Sequence, residues 1–426
     1  MKRLLLFISV ALAATMALSS CNDDKKEITS IDELTVTVYM PSDFPASAKF
    51  AGNVTLADRN NTSVRIRGKA IDGSVVLKNV PFGVYDVYAD WELTADEFAV
   101  IAPDLAAGNT VGASLSGVSK IVTLAEVADG ESVISLSLEW SVPSSLLFSK
   151  IYNFGTLNNA GKAYNIDKFV EIFNNTAEVQ YVDGLCIGEA YGSAPVAGSL
   201  PGLADADVVY IQRVSRFPGS GTDYPVEPGK SIVVAMNAKN HIDAEVVTNT
   251  VDLSGADFEA YDVAGAVSFF PADNSDVPNL ITDVYAASSS IAKLFVSQGN
   301  IPVLFKATDD EIAGFQTLTD PAYAAYPQYA PTLLCLPAEK VIDAVDQMRT
   351  GFESRGGKHV PTSVDAGYAM TNQKAVMVRK INYVAADGRL VFKDTNNSTN
   401  DFVQLTAEDG SHLKIRDYSM SEIQPK

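Results

Sequence analysis

Asp394, Asn396, Ser398 and Asn400 alternate as oxygen-bearing residues do at the start of an EF-hand loop, and Asp401 adds a second carboxylate. Hard cations such as Ca²⁺ are held by carboxylate and carbonyl oxygens at that spacing. The rest of the pattern departs from it, because Thr399 stands where the loop needs glycine and Leu405 where it needs a bidentate glutamate. The reading is therefore no cofactor, with Ca²⁺ as the single exception these five residues could take, and Asx side chains capping a turn as the alternative. Asp273-Asn274-Ser275-Asp276 reads the same way.

The segment GTLNNAGK (Gly155 to Lys162) follows an apolar run, as a phosphate-binding loop would. Its spacing fails, since five residues separate Gly155 from Gly161 and Ala163 replaces the Mg²⁺-binding hydroxyl. The three histidines, His241, His359 and His412, form no pair at metal spacing, and a lone His beside Asp243 or Lys358 reads as a surface or turn residue. There is no HExxH or GxSxG motif, so no catalytic residue is assigned.

Formal charge is −20, and removing residues 1–20 would take away two cations and no acids. Such a chain is a poor partner for nucleic acid, which needs clustered Lys and Arg. Cys186 and Cys335 sit in apolar runs (GLCIG, LLCLP) and read as small buried hydrophobes, with a disulfide between them left open. Trp91 and Trp140 fall on strand patterns, where core packing is the default. A ligand surface is better sought among Phe258, Tyr261, Phe269, Phe270, Tyr285, Tyr323, Tyr326 and Tyr329.

These residues need a frame, and the patterning is that of strands. Leu34, Val36, Val38 and Met40 alternate with polar positions, as do Val64 and Ile66 with Arg65 and Arg67, and Ile134, Leu136, Leu138 and Trp140 with their neighbours. The spacing predicts an all-β sandwich over residues 34–142, a hinge at Val142–Ser145, and a second all-β domain over 146–426. Residues from about 240 to 336 read as a long insertion between two core strands and as the place where function resides. Within it, DPAYAAYPQYAP reads as a short helix stopped by its prolines.

Residues 1–20 combine Lys2 and Arg3 with an apolar run too short to span a bilayer, which is a secretory signal. Leu18-Ser19-Ser20-Cys21 resembles a bacterial lipobox, which implies acylation of Cys21. Asn22, Asp23 and Asp24 open a charged tether over 21–33 and resemble the export signal of surface lipoproteins of Bacteroidota. VVLKNVPFGVYDVYADWEL (Val75 to Leu93) resembles the prealbumin-like modules of such proteins. The pattern F-V-E-I-F-N-N, with Glu171, Asn174, Asn175, Asp183 and Gly184, is similar to the lamin-tail domain, an immunoglobulin-like sandwich. VEPGKSIVVAMNAKNH, DVPNL, LPAEKVIDAVD, VDAGY and DTNNSTNDF complete a resemblance to an uncharacterised family of Bacteroides-type lipoproteins over about Leu146 to Phe402.

The resemblance implies an outer-membrane lipoprotein facing the cell exterior. Its expected role is a non-enzymatic binding or accessory module, beside a TonB-dependent transporter. A structural or adhesive surface component is the second reading. A hydrolase with its site in the insertion is the third.

Overall fold

The computed structural model describes residues 30–60, 65–107, 109, 111–125, 132–193, 200, 207–261, 273–287, 298–353, 357–384 and 388–424. Cys21, Asn22, Asp23, Asp24, Val64, Asp262, Phe269 and Phe270 lie outside the described residues.

The N-terminal part is a sandwich of two sheets. One runs β4 (Ser74–Pro81), β1 (Ser30–Tyr39), β7 (Ser132–Ser137), and the other runs β3 (Arg65–Lys69), β2 (Asn53–Asp58), β5 (Gly83–Leu93), β6 (Ala113–Leu124), β8 (Glu139–Ser141). The alternation read from the sequence sets its interior: Leu34, Val36, Val38, Ile134, Leu136 and Leu138 are buried in one cluster with Val54, Leu56, Tyr85 and Val87. Period-two side chains meet across the sheets, and the residues between them face out. A short helix, α1 (Ala95–Ile101), begins at a capping box in which Thr94 Oγ1 accepts from the Glu97 amide and Glu97 accepts from the Thr94 amide. Its one buried residue, Phe98, packs on Phe44 and Trp140.

The second body is built differently. Its six-stranded sheet runs Phe258–Glu259, Ser231–Ala235, Phe169–Asn174, Leu146–Tyr152, Ala375–Arg379, Phe402–Thr406. Leu146–Tyr152, Phe169–Asn174, Ser231–Ala235 and Ala375–Arg379 are buried at every residue. That is why their sequences are mostly apolar without alternation, and why the few polar residues in them, Lys150, Glu171 and Arg379 among them, are buried with partners. One face, with Phe148, Val170, Ile172 and Val234, packs on the second sheet through Ile187 and Leu304. The other face, with Leu147, Phe169, Phe173 and Val376, is covered by Leu413, Met420 and Ile423 of the C-terminal segment. The chain is an all-β protein of stacked sheets, as its patterning predicts.

The second sheet runs Thr317–Thr319, Thr332–Pro337, Val208–Arg216, Cys186–Ala190, Ile301–Phe305, Val341–Ala344, and Ile281–Ala286 also pairs with Val208–Arg216. Four of the strands just named lie within residues 240–336 and a fifth, Thr332–Pro337, ends one residue beyond, and Ile301–Phe305 is buried at all five residues. This segment is therefore woven into both sheets and is not a loop hung between core strands. Its apolar runs IPVLF and TLLCLP become fully or partly buried strands because they find partners distant in sequence. DPAYAAYPQYAP forms two 3₁₀ turns, Pro321–Tyr323 and Pro327–Tyr329, because Pro327 cuts the first off before an α-helical bond can form.

Both cysteines are free thiols. Cys186 pairs with Arg216 and Cys335 with Tyr210, on the two sides of one strand and six residues apart along it. At ~3.3 Å per residue that offset is about 20 Å. A disulfide needs Cα atoms within ~7 Å, so the two thiols cannot meet.

The charge networks buried inside the second body include those of Arg379 and Lys150. The guanidinium of Arg379, 2% exposed, donates to Asp343 at 2.9 and 3.1 Å, Asp394 at 3.0 Å, and the carbonyls of Phe148 (2.9 Å) and Lys393 (3.1 Å). Lys150, also buried, donates to the carbonyls of Lys414 and Asp417 at 2.8 Å and lies 3.8 Å from Glu171. Glu171 in turn accepts from the Tyr418 hydroxyl and, at 2.8 Å, from the Arg416 amide. This second network latches the C-terminal segment over the sheet.

Candidate functional site

The outer face of β3 carries Arg65, Arg67 and Lys69, because residues two apart share a face of a strand. The register places Lys69 beside Asn53, and Asn53 beside Asp90 of β5. Across from this face stand Lys380, Ile381 and Asn382, Lys393, Asn400 and, from the C-terminal segment, Glu422 and Gln424. Between them lies a cleft of about 570 Å³, also lined by Trp91, Glu92 and the capping residue Glu97. That volume is in the range of small-molecule sites.

Several local devices hold the walls. Gly52 lies where a Cβ would fall 2.3 Å from the Asp90 carbonyl oxygen and 2.5 Å from Trp91 Cβ, so only glycine lets β5 approach so closely. Trp91 is half-buried and meets Phe50 edge to face at 5.8 Å. Asn53 donates to Asp90 at 3.3 Å. On the facing wall Lys380 Nζ donates to the Asn400 carbonyl at 2.7 Å. The linker is fixed as well: the Ser144 amide donates to Asp394 at 2.6 Å and its hydroxyl to the Ile342 carbonyl at 2.7 Å.

The cleft carries five cations and four acids. Arg65, Arg67 and Lys69 make no ion pair among the described residues. Desolvation raises the Glu92 carboxyl to about 7, against the opposing effects of the Ser114 hydroxyl, which donates to it at 2.6 Å, and of Lys393. Asp90 and Asp401 push in the same direction as desolvation. Below pH 7 the cleft therefore loses one of its acids and becomes more cationic.

The five residues with EF-hand-like spacing do not converge on a common point. Asp394 and Asp401 face Arg379, at 3.0 and 3.5 Å. The positive charge they hold in this structure is an arginine. Asp401 also accepts from Thr395 at 2.8 and 2.9 Å, and Ser398 donates to Asp365 at 2.5 Å. Asn396 sits at φ +49°, a turn position, and the Asn400 carbonyl faces Lys380. Burial pushes Asp343 up to about 7 and Asp401 to about 6, with Arg379 opposing in both. Among the described residues no group of three His, Cys, Asp or Glu is placed to hold a metal.

GTLNNAGK is a hairpin in which Thr156 pairs with Tyr164 and Leu157 with Ala163. Of the histidines only His412 lies partly exposed; His241 and His359 are buried, contrary to the surface reading. His359 Nδ1 lies 2.7 Å from Asp346, and His241 bridges the Tyr164 hydroxyl (2.9 Å) and the Asn237 carbonyl (3.0 Å).

Sequence reasoning missed the cleft. Three cations on one face of a strand, in a chain of charge −20, were a legible signal for its first wall. Lys380 and Lys393 lie some 310 residues away in sequence, and only the tertiary structure brings them opposite.

Residues 227–408 match the family described as Protein of unknown function (DUF4876). Over those residues the chain matches an uncharacterised domain of the Bacteroides type that its motifs resemble. A crystal structure of a DUF4876 family protein from Bacteroides thetaiotaomicron shares its fold, with 24% identity, 87% of this chain and 94% of that one covered, and a TM-score of 0.52. A candidate adhesin from Bacteroides ovatus is 10% identical over 69% of this chain and 83% of its own, with a TM-score of 0.20. No curated protein matches the sequence. The family match ends at residue 408, yet Leu413, Met420 and Ile423 are core residues, so the β body extends beyond it.

Proposed function

We propose that this protein is a lipid-anchored component of the outer cell surface that binds ligand without transforming it, and that the cationic cleft receives an anionic ligand. The observation that carries the reading is the meeting of Arg65, Arg67, Lys69, Lys380 and Lys393 around one cleft in a strongly acidic chain. Arg65, Arg67 and Lys69 share one wall of it, and positive charge gathered on one wall attracts carboxylate-, sulfate- or phosphate-bearing molecules. Trp91 adds an aromatic surface for the apolar part of such a ligand. The lipobox and the acidic tether support the location, and a neighbouring outer-membrane transporter is the partner this role would serve.

The test uses the mature chain with Cys21→Ser, titrated with polygalacturonate and chondroitin sulfate. Binding should weaken with salt, and Arg67→Glu with Lys69→Glu should lower affinity at least tenfold. It should also weaken as pH rises through about 7, where Glu92 gains its charge, and Glu92→Gln should remove that dependence. Binding that ignores the β3 cations would move the ligand elsewhere. In cells, the Cys21→Ser chain should leave the membrane fraction, because no described helix is long and apolar enough to cross a membrane.

A further inference from the structure

A second surface stands apart from the cleft, on the loop that joins Thr317–Thr319 to Thr332–Pro337 at the edge of the seven-stranded sheet. The loop is clasped at its base. The Asp320 amide donates to the Pro331 carbonyl at 3.1 Å, and its buried carboxylate accepts from the Ala322 amide at 2.8 Å and the Tyr191 hydroxyl at 2.5 Å. Successive turn bonds run along it: Tyr323 to Asp320, Tyr326 to Tyr323, and Tyr329 to Tyr326. Pro321, Pro327 and Pro331 restrict the backbone further. On this stiff frame Tyr323, Tyr326 and Tyr329 recur every third residue and are 37%, 63% and 70% exposed. Their hydroxyls make no hydrogen bond among the described residues, and residues 321–331 contain no charge.

We infer that this tyrosine ledge binds a neutral glycan, with sugar rings stacked on Tyr326 and Tyr329 and Tyr323 at its edge. A tyrosine buries roughly 150–250 Å² when covered, so these exposures leave on the order of 350 Å² of ring surface. A stable protein interface needs about 800 Å² per partner, which the ledge does not supply. A few sugar rings match the area. The rings offer apolar faces to the C–H faces of a sugar, and their free hydroxyls reach its hydroxyls. The absence of charge removes any preference for an ionic ligand, in contrast to the cleft. Holding the rings on a preformed loop also lowers the ordering cost of binding.

The experiment is affinity electrophoresis of the full mature chain, with Cys21→Ser, through gels holding soluble starch, yeast mannan or barley β-glucan. At least one polymer should retard it, and Tyr326→Ala with Tyr329→Ala should weaken that retardation at least tenfold with an unchanged melting temperature. Tyr326→Phe with Tyr329→Phe should retain most of it, because stacking needs the ring. Arg67→Glu should leave it intact, which separates this surface from the cleft. No retardation in any of the three polymers, or retardation indifferent to loss of both rings, would overturn the inference. Concentration-dependent self-association abolished by the double alanine variant would assign the ledge to a second copy of the chain and overturn it equally.

Discussion

Replacing Arg379 with methionine tests the largest buried charge network directly. Methionine fills much of the arginine stem but removes a guanidinium that makes five hydrogen bonds to Asp343, Asp394 and the Phe148 and Lys393 carbonyls. Breaking a buried ion pair by removing one partner costs about 3–5 kcal/mol. Here Asp343, Asp394 and Asp401 are all buried around the lost charge, so the upper end is expected at pH 8. Asp343 and Asp401 already titrate near 7 and 6 because of burial, and loss of the arginine pushes both higher. A carboxyl whose folded pKa lies above its unfolded value of 3.8 gives stability below that value and loses it as pH rises through the folded pKa. At pH 5 both groups are protonated in the variant, and the deficit should shrink to about 2 kcal/mol, the cost of unsatisfied polar groups. Urea unfolding at the two pH values measures this. Both tryptophans lie in the N-terminal sandwich, so tryptophan emission follows that sandwich, and the far-UV circular dichroism change that emission does not share follows the second body. A deficit below about 1 kcal/mol at pH 8, or an equal one at pH 5 and pH 8, would refute the reasoning.

Two further outcomes follow from the same structure. Burial lowers His241 to about 4 from 6.5, so the unfolded state takes up its proton first and stability falls as pH drops from 6.5 to 4. The wild type should lose up to about 3 kcal/mol across that window relative to His241→Gln, at 1.36 kcal/mol per unit; parallel pH–stability curves for the two would rule this out. Replacing residues 240–336 with a Gly-Ser linker should abolish folding of the second body, since it removes the buried strand Ile301–Phe305, which pairs with Cys186–Ala190, and nearly all of Thr332–Pro337, which pairs with Val208–Arg216. A soluble deletion variant with a native-like far-UV spectrum and cooperative melting would contradict the sheet topology.

The sequence by itself determined the strand content and the class. Period-two alternation at Leu34, Val36 and Val38 and at Ile134, Leu136 and Leu138 fixed which face of each N-terminal strand turns inward, because a strand has only two faces. The run FVEIFN marked a strand, and only the structure shows that it, LLFSKIY and AVMVR are covered on both sides. The helix at Ala95–Ile101, with its Thr94–Glu97 capping box, is a local element that the strand reading of residues 34–142 passed over.

What only the tertiary structure decided depends on pairings distant in sequence. IPVLF and TLLCLP read as parts of an insertion until Cys186–Ala190 and Val208–Arg216 supply their partners. Asp394 and Asp401 looked like cation ligands by spacing, and the cation they meet is Arg379. His241 and His359 were unremarkable by neighbourhood, yet packing buries both. The cleft is the clearest case, since Arg65 lies on β3 of the N-terminal sandwich and Lys380 between the strands Ala375–Arg379 and Ile381–Val384 of the second body, and no local pattern relates them. Short-range sterics and periodicity act within about ten residues. The juxtaposition of charges across the cleft is set by how two separately packed bodies meet.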